Sequence, residues 1–299
     1  MKKVGSKHTE DSLAVRVDGV RKTIAACLDR TCVRPLTAEL SEMLTGGKML
    51  RSRLGFRIGN ATEAPVAPLT RTLAAIELIH AASLLHDDVI DGAAMRRGAP
   101  SFWVRKGTSG AVLLGDLLVC QAMMLISENR DLEFLTEFIS LTSQMCDGEV
   151  EQELLLRHNV SSWQKSVDIA RRKTGALFAA VAYYCGGADP ALREALREAG
   201  YKIGTAYQLS DDLLDAFGEQ TEFDKTLGTD KLHAKPTAAS TWRGSHVDPA
   251  RYIHDLCTEA EALLSPWPGV QAAWHAYLAE DIGPAINKFV ECFRAKVAS

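Results

Sequence analysis

No proline falls between Pro100 and Pro190. The interval is rich in Leu, Ala, Glu, Gln and Met, the residues that lose least on entering a helix. Proline breaks helices from within, so this stretch leaves room for several long ones. Apolar residues recur at helical spacing through Ala111, Leu114, Leu118 and Ala122, and no segment alternates as a strand does. Gly110, the Gly186-Gly187 pair and Gly218 mark expected breaks. Thr70 to Ile90 reads as a further long helix, Pro190 to Phe217 as a helical pair, and about Pro284 to Lys296 as the last helix. The expectation is an all-α chain, residues 1–299 forming one domain of long, mostly antiparallel helices. Residues 1–10 are polar and expected to fray. Thr221 to Pro236, Trp242 to Pro249 and Ser265 to Gly269 read as loops, the first of them functional.

A hydrophobic share of 46% over 299 residues is enough for a sizeable core. The net charge of −4 and the lack of a basic stripe argue against a nucleic-acid partner. Seven cysteines at irregular spacing include no C-x-x-C pair, which fits reduced thiols in a cytoplasmic protein. No apolar h-region follows the polar start, so no signal peptide is expected. Ala176 to Cys185 is taken as the longest apolar stretch and is too short to span a bilayer.

Two copies of an acidic pattern, Asp-Asp-x-x-Asp, carry the functional information. One is Asp87, Asp88 and Asp91; the other is Asp211, Asp212 and Asp215. Both sit among Leu, Val and Ile, whereas a solvated acidic face is flanked by Lys, Glu and Gln. On a helix, residues four apart share a face, so Asp87 points with Asp91 and Asp211 with Asp215. Clustered carboxylates against an apolar wall repel each other. A hard divalent cation such as Mg²⁺, which takes one or two carboxylates together with substrate phosphates, relieves that repulsion. Two such faces far apart in sequence suggest one pocket holding a metal-bound diphosphate.

A diphosphate also needs cations from the chain. Gly46-Gly47-Lys48-Met49-Leu50-Arg51 places Lys48 and Arg51 three apart, on one helical face, behind glycines that permit close backbone approach. Arg96 and Arg97 follow the first acidic motif, and guanidinium forks match phosphate oxygens. Lys173, Lys225 and Lys235 are further candidates. His80 lies two turns before Asp87; a satisfied core histidine and a phosphate contact are equally open readings.

In this order and spacing the residues resemble the trans-isoprenyl diphosphate synthases of the polyprenyl synthetase family, over about residues 40 to 237. The resemblance rests on Gly46-Gly47-Lys48-x-x-Arg51, the first acidic motif with Arg96-Arg97-Gly98, Lys173-Thr174, Gln208 with the second acidic motif, and the loop from Lys225 to Lys235. It implies an isoprenoid-synthase type bundle around a central cavity, and a homodimer. Lys48, Arg51, His80 and Arg97 would hold isopentenyl diphosphate. Asp87, Asp91 and Asp211 would ligate several Mg²⁺ ions on the allylic diphosphate, with Asp88, Asp212 and Asp215 completing the acidic set. Arg96, Lys173, Lys225 and Lys235 would contact that diphosphate, Thr174 and Gln208 would line the site, and Gln152 would support it. The implied reaction ionises the allylic C–O bond, adds the double bond of isopentenyl diphosphate to the cation, and then loses a proton. The partners are small-molecule diphosphates, with no membrane span and transient membrane contact for product release.

In this family the tail grows along the helix before the first acidic motif. Ala82 and Ser83 are small and leave room, so a product longer than farnesyl is expected; Met123 or Met124 is the alternative floor. The chain departs from the family pattern at Asp224, Ala234 and Thr237 to Trp242, and residues 238–299 read as a diverged C-terminal part in which Arg294 and Lys296 offer a basic tail. Four readings stay open: chain elongation, a terpene cyclase or irregular coupler on the same fold, a non-catalytic subunit of a heteromeric synthase, and a structural helical protein.

Overall fold

The computed structural model of the chain describes residues 4–159, 161–217, 237–242 and 245–297. Helix α1 (Val4–Leu28) begins inside the segment expected to fray. It buries Leu13, Val17, Val20, Ile24 and Leu28, three or four residues apart, as one stripe. After α2 (Thr37–Thr45) and α3 (Leu50–Ala61) comes α4 (Val66–Ile90), apolar on nearly every side and buried from Thr72 to Ile79 without interruption. Next come α5 (Phe102–Lys106), α6 (Thr108–Ser127) and α7 (Leu132–Val150). Then α8 (Trp163–Ala170) and α9 (Ala176–Cys185) lead to the long α10 (Pro190–Phe217). The short α11 (Ala238–Thr241), α12 (Pro249–Ala262), α13 (Pro268–Tyr277) and α14 (Gly283–Val297) complete the fold.

The all-α expectation holds. The one pair of strands among the described residues is a hairpin, Met95–Arg96 against Ala99–Pro100. Its tip residues Arg97 and Gly98 have φ of 51° and 74°, the backbone of a tight two-residue turn. Among the described residues, three wider, π-helical turns interrupt the helices. Glu151–Leu156 extends α7, Arg171–Gly175 joins α8 to α9, and Leu278–Ile282 joins α13 to α14. Such turns re-aim side chains and recur at functional sites.

Helices α4 and α10 form the frame. Helix α4 is packed by α1, α3, α6 and α9, and α10 by α9, α12 and α14. The pair of helices expected over Pro190 to Phe217 is a single one. Gly200 and Gly204 lie inside it as contact points, where an added Cβ would stand 2.7 Å from the Cα of Ala179 and of Gly175, respectively. The break expected at Gly110 falls instead at Gly107, whose φ of 81° separates α5 from α6. The choice of Ala176–Cys185 as the longest apolar stretch is also corrected. Helix α6 is long and apolar enough, by length and composition, to cross a membrane; Gly115 and Asp116 interrupt its apolar run in the sequence. In the fold it packs on α4 and α5.

Candidate active site

Both acidic motifs sit at the C-terminal ends of their helices. Asp87 and Asp88 lie in the last turn of α4, Asp91 follows its end, and Asp211 to Asp215 fall in the last turns of α10. The carbonyl end of a helix carries partial negative charge, so carboxylates there are disfavoured unless cations approach. The two helix ends face one cavity of about 920 Å³, lined by Asp87 and Asp91 from one side and by Asp211, Asp212 and Asp215 from the other. Lys48, Arg51, His80, Arg96, Arg97, Lys173, Thr174 and Gln208 line it too. Ala82 and Ser83 are in its wall, whereas Met123 and Met124 are not. Lys225 and Lys235 lie outside the described residues.

Local structure explains where each cation points. Lys48 and Arg51 do not share a helical face. Met49, at φ 51°, is the left-handed residue that precedes α3, so Lys48 stands outside the helix and Arg51 in its first turn. Arg51 lies with its guanidinium carbon 4.8 Å from the centre of the Phe178 ring, and burial lowers its pKa. Tyr277 donates to the carbonyl of Leu50 at 3.1 Å and fixes that turn from α13. Gly47 admits the Arg97 guanidinium: an added Cβ would come within 2.7 Å of its Nη2. Burial first, and then the charges of Arg51, Arg97 and Arg96, hold His80 well below the ordinary imidazole pKa. His80 is therefore neutral at pH 7.

Asp88 and Asp212 serve other side chains or the backbone. Asp88 is outside the cavity wall; it accepts from Arg96 Nε at 2.8 and 2.9 Å and pairs with Arg96 Nη2 at 2.6 Å. Asp212 accepts from Gln208 at 2.8 Å and from the amide of Ala238 at 2.9 Å. Burial pushes its carboxyl up to about 6. Thr174 donates to Gln208 at 2.6 Å, so a hydrogen-bonded chain runs from the π turn through α10 to α11. Lys173 donates to the buried Gln152 at 2.7 Å and pairs with Glu149. Sequence reasoning missed Glu149, Tyr207, Lys288 and Glu77 among the lining residues. Glu77 had a signal, as the lone charge in Leu73 to Ile79.

Among the described residues no three His, Cys, Asp or Glu side chains form a ready metal cage. Mg²⁺ binds through few protein carboxylates and keeps positions for substrate oxygens. Hard oxygen donors on two facing helix ends, with phosphate-matching cations around them, fit a metal whose coordination a diphosphate completes.

An all-helical fold whose cavity sets two carboxylate faces against a cationic wall defines a class, the all-α proteins with paired acidic helix ends over a central cavity. Residues 34–259 match the polyprenyl synthetase family, and the chain belongs to it. The match runs past the limit near residue 237 expected from the motifs. The chain is 31% identical over 202 residues to the short chain isoprenyl diphosphate synthase of Methanocaldococcus jannaschii, covering 65% of this chain and 62% of that protein. It is 33% identical over 208 residues to the octaprenyl diphosphate synthase of Haemophilus influenzae, covering 63% of each. The chain thus spans less than two thirds of the length of these relatives. A polyprenyl synthase from Caulobacter crescentus, solved with calcium and isoprenyl diphosphate, superposes with a TM-score of 0.70 at 28% identity, covering 94% of both chains.

Proposed function

We propose that the chain extends an allylic diphosphate with isopentenyl diphosphate, in a Mg²⁺-dependent prenyl transfer, to an all-trans polyprenyl diphosphate longer than farnesyl. The carrying observation is that both acidic motifs and the cationic residues line one cavity whose wall continues into apolar side chains. Asp87, Asp91 and Asp211 hold the metal. When bound, Mg²⁺ neutralises the charge that builds on the departing diphosphate. Asp215 adds negative charge on the α10 side. Arg96 and Lys173, with Lys225 and Lys235, take the oxygens of the allylic diphosphate; Thr174 and Gln208 keep that wall in place. Lys48, Arg51, Arg97 and neutral His80 hold isopentenyl diphosphate. Leu177 and Phe178 exclude water from the allylic cation. No protein nucleophile is required, and the proton lost at the end passes to the released diphosphate.

Retention of Lys48, Arg51 and Arg97 as a second anion pocket favours elongation over cyclisation, which needs one diphosphate only. The size of Ala82 and Ser83 supports a product longer than farnesyl. The exposed apolar side chains Val112, Leu113 and Met124 on α6 support a homodimer, and the seven free thiols support a cytoplasmic location.

The test is mass analysis of products formed with Mg²⁺ and isopentenyl diphosphate from dimethylallyl, geranyl or farnesyl diphosphate. Products beyond farnesyl, with stoichiometric release of diphosphate, are expected. Turnover of an allylic diphosphate alone would identify a cyclase. A farnesyl endpoint would overturn the length, and tight Mg²⁺–diphosphate binding without turnover would identify a partner subunit.

A further inference from the structure

Arg172 and Lys173 are neighbours in the π turn Arg171–Gly175, and both meet carboxylates at the end of α7. The approach is close. A Cβ added at Gly148 would stand 3.1 Å from the Cβ of Arg172 and 3.2 Å from the Cγ of Lys173. Arg172 pairs with Asp147 at 2.6 Å, with Asp168 at 2.7 Å and with Glu151. Neither it nor these carboxylates line the cavity. They fasten the turn to α7 and α8 from outside. Lys173 lies on the cavity side, where its ammonium pairs with Glu149 and donates to the Gln152 amide oxygen at 2.7 Å. Both partners line the cavity as well. Only 22% of the Lys173 side chain and 18% of the Glu149 side chain are exposed, so solvent screens this pair less than a surface pair.

A carboxylate beside a diphosphate pocket weakens binding unless it has a task. Asp212 holds Gln208 and the Ala238 amide, and Glu77 accepts from Ser52. Glu149 holds Lys173, the cation assigned above to the allylic diphosphate. We propose that Glu149 is the exchange partner of Lys173: it holds the ammonium in the empty site, yields it to the allylic diphosphate, and takes it back as inorganic diphosphate leaves; the identity of the ligand rests on the elongation reading. Lysine suits an exchange, being a point charge on a flexible four-carbon stem, whereas an arginine fork fixes its geometry. The effect is lower affinity and faster release. Each round of elongation must clear inorganic diphosphate from the pocket before the next allylic end enters. An interaction that weakens substrate and product diphosphate alike leaves the chemical step unopposed. Glu149 is thus a positioning residue that acts through Lys173.

The experiment is calorimetric titration of inorganic diphosphate into the full chain at saturating Mg²⁺, beside steady-state rates with geranyl and isopentenyl diphosphates. Glu149→Gln keeps an oxygen for Lys173 and removes the charge. It should tighten inorganic diphosphate about tenfold, the order set by one like charge at a partly solvated site. The KM for geranyl diphosphate should fall with it, and the half-saturating Mg²⁺ concentration should not rise. Glu149→Ala should shift affinity the same way, which covers a failure of Glu149→Gln to fold. In a Lys173→Gln background, adding Glu149→Gln should change affinity less than about twofold, because the effect runs through the lysine. A tenfold shift that survives without Lys173 would overturn the exchange, since Glu149 would then repel diphosphate directly. Weaker diphosphate binding with a higher Mg²⁺ requirement would also overturn it, by making Glu149 a metal ligand. Unchanged affinity in folded Glu149→Gln and Glu149→Ala would do the same. The reaction itself is judged apart from these titrations. A wild type that shows the shifts but does not elongate keeps the exchange and loses elongation; one that elongates without the shifts loses the exchange alone.

Discussion

The Glu77 carboxylate accepts two hydrogen bonds from Ser52, one from its backbone amide at 3.2 Å and one from its hydroxyl at 2.7 Å. Ser52 is the third residue of α3, where amides lack a partner within the helix. A buried anion there caps the helix and complements its positive end. It also holds the turn that presents Arg51 to the cavity. Ser52→Ala removes a hydrogen bond to a charged group and should cost about 1.5–3 kcal/mol, read from urea unfolding. The KM for isopentenyl diphosphate should rise more than kcat falls. An unchanged KM in the destabilised variant would confine Glu77 to stability.

Asp87 and Asp88 are neighbours in sequence with separate tasks. Asp87 lines the cavity, whereas Asp88 grips Arg96 from behind the wall. Removing a group that stabilises transition-state charge typically costs about 10²–10³ in kcat. Asp87→Asn should show a loss of that order, together with a higher Mg²⁺ requirement. Asp88→Asn should mainly raise the KM for the allylic substrate, through a loosened Arg96, and leave the half-saturating Mg²⁺ concentration unmoved. Initial rates over a Mg²⁺ titration separate the two; equal shifts in both variants would contradict the division.

The depressed pKa of His80 has a defined sign. An unfolded imidazole titrates at about 6.5, and the folded one lower. Between those values the unfolded chain binds a proton that the folded chain refuses. Stability therefore falls as the pH drops through this window, and this contribution is flat above it. His80→Gln should flatten that part of the stability profile, measured as urea midpoints from pH 7 to pH 5. An identical slope in the variant would show that His80 is not the group responsible.

The acidic motifs were legible because carboxylates amid Leu, Val and Ile contradict the hydrophobic pattern around them. The same contradiction marked Glu77, in the apolar run of α4, and could have been read. What spacing cannot give is the partner brought by another element. Asp88 turns to Arg96 because the Arg97-Gly98 turn folds the hairpin back. Asp212 turns to Ala238 because α11 docks there from a segment 26 residues on. Lys48 and Arg51 look like helical neighbours in the sequence, and a single left-handed residue, Met49, separates them. Gly200 and Gly204 are weak helix formers, and only the approach of α9 and of the π turn before it shows that they are required where they are.

The C-terminal helices brace α3 through one buried charge. Asp281, in the π turn between α13 and α14, pairs with Arg53 Nη1 at 2.6 Å and with Arg57 Nε; its side chain is 1% exposed. Glu280 beside it pairs with Arg57 at 2.6 Å, with a side chain 50% exposed. Breaking a buried pair from one side leaves the other charge uncompensated and costs about 3–5 kcal/mol. An exposed pair contributes about 0–1 kcal/mol. Asp281→Asn should therefore lower unfolding stability by about 3 kcal/mol, toward the low end because Arg57 keeps Glu280. Glu280→Gln should cost less than about 1 kcal/mol. Neither residue lines the cavity, so kcat at 25 °C should stay near wild type in both. Equal losses from the two variants would mean that solvent reaches Asp281, and that Tyr277 and the packing of α13, without this carboxylate, hold the first turn of α3 in place.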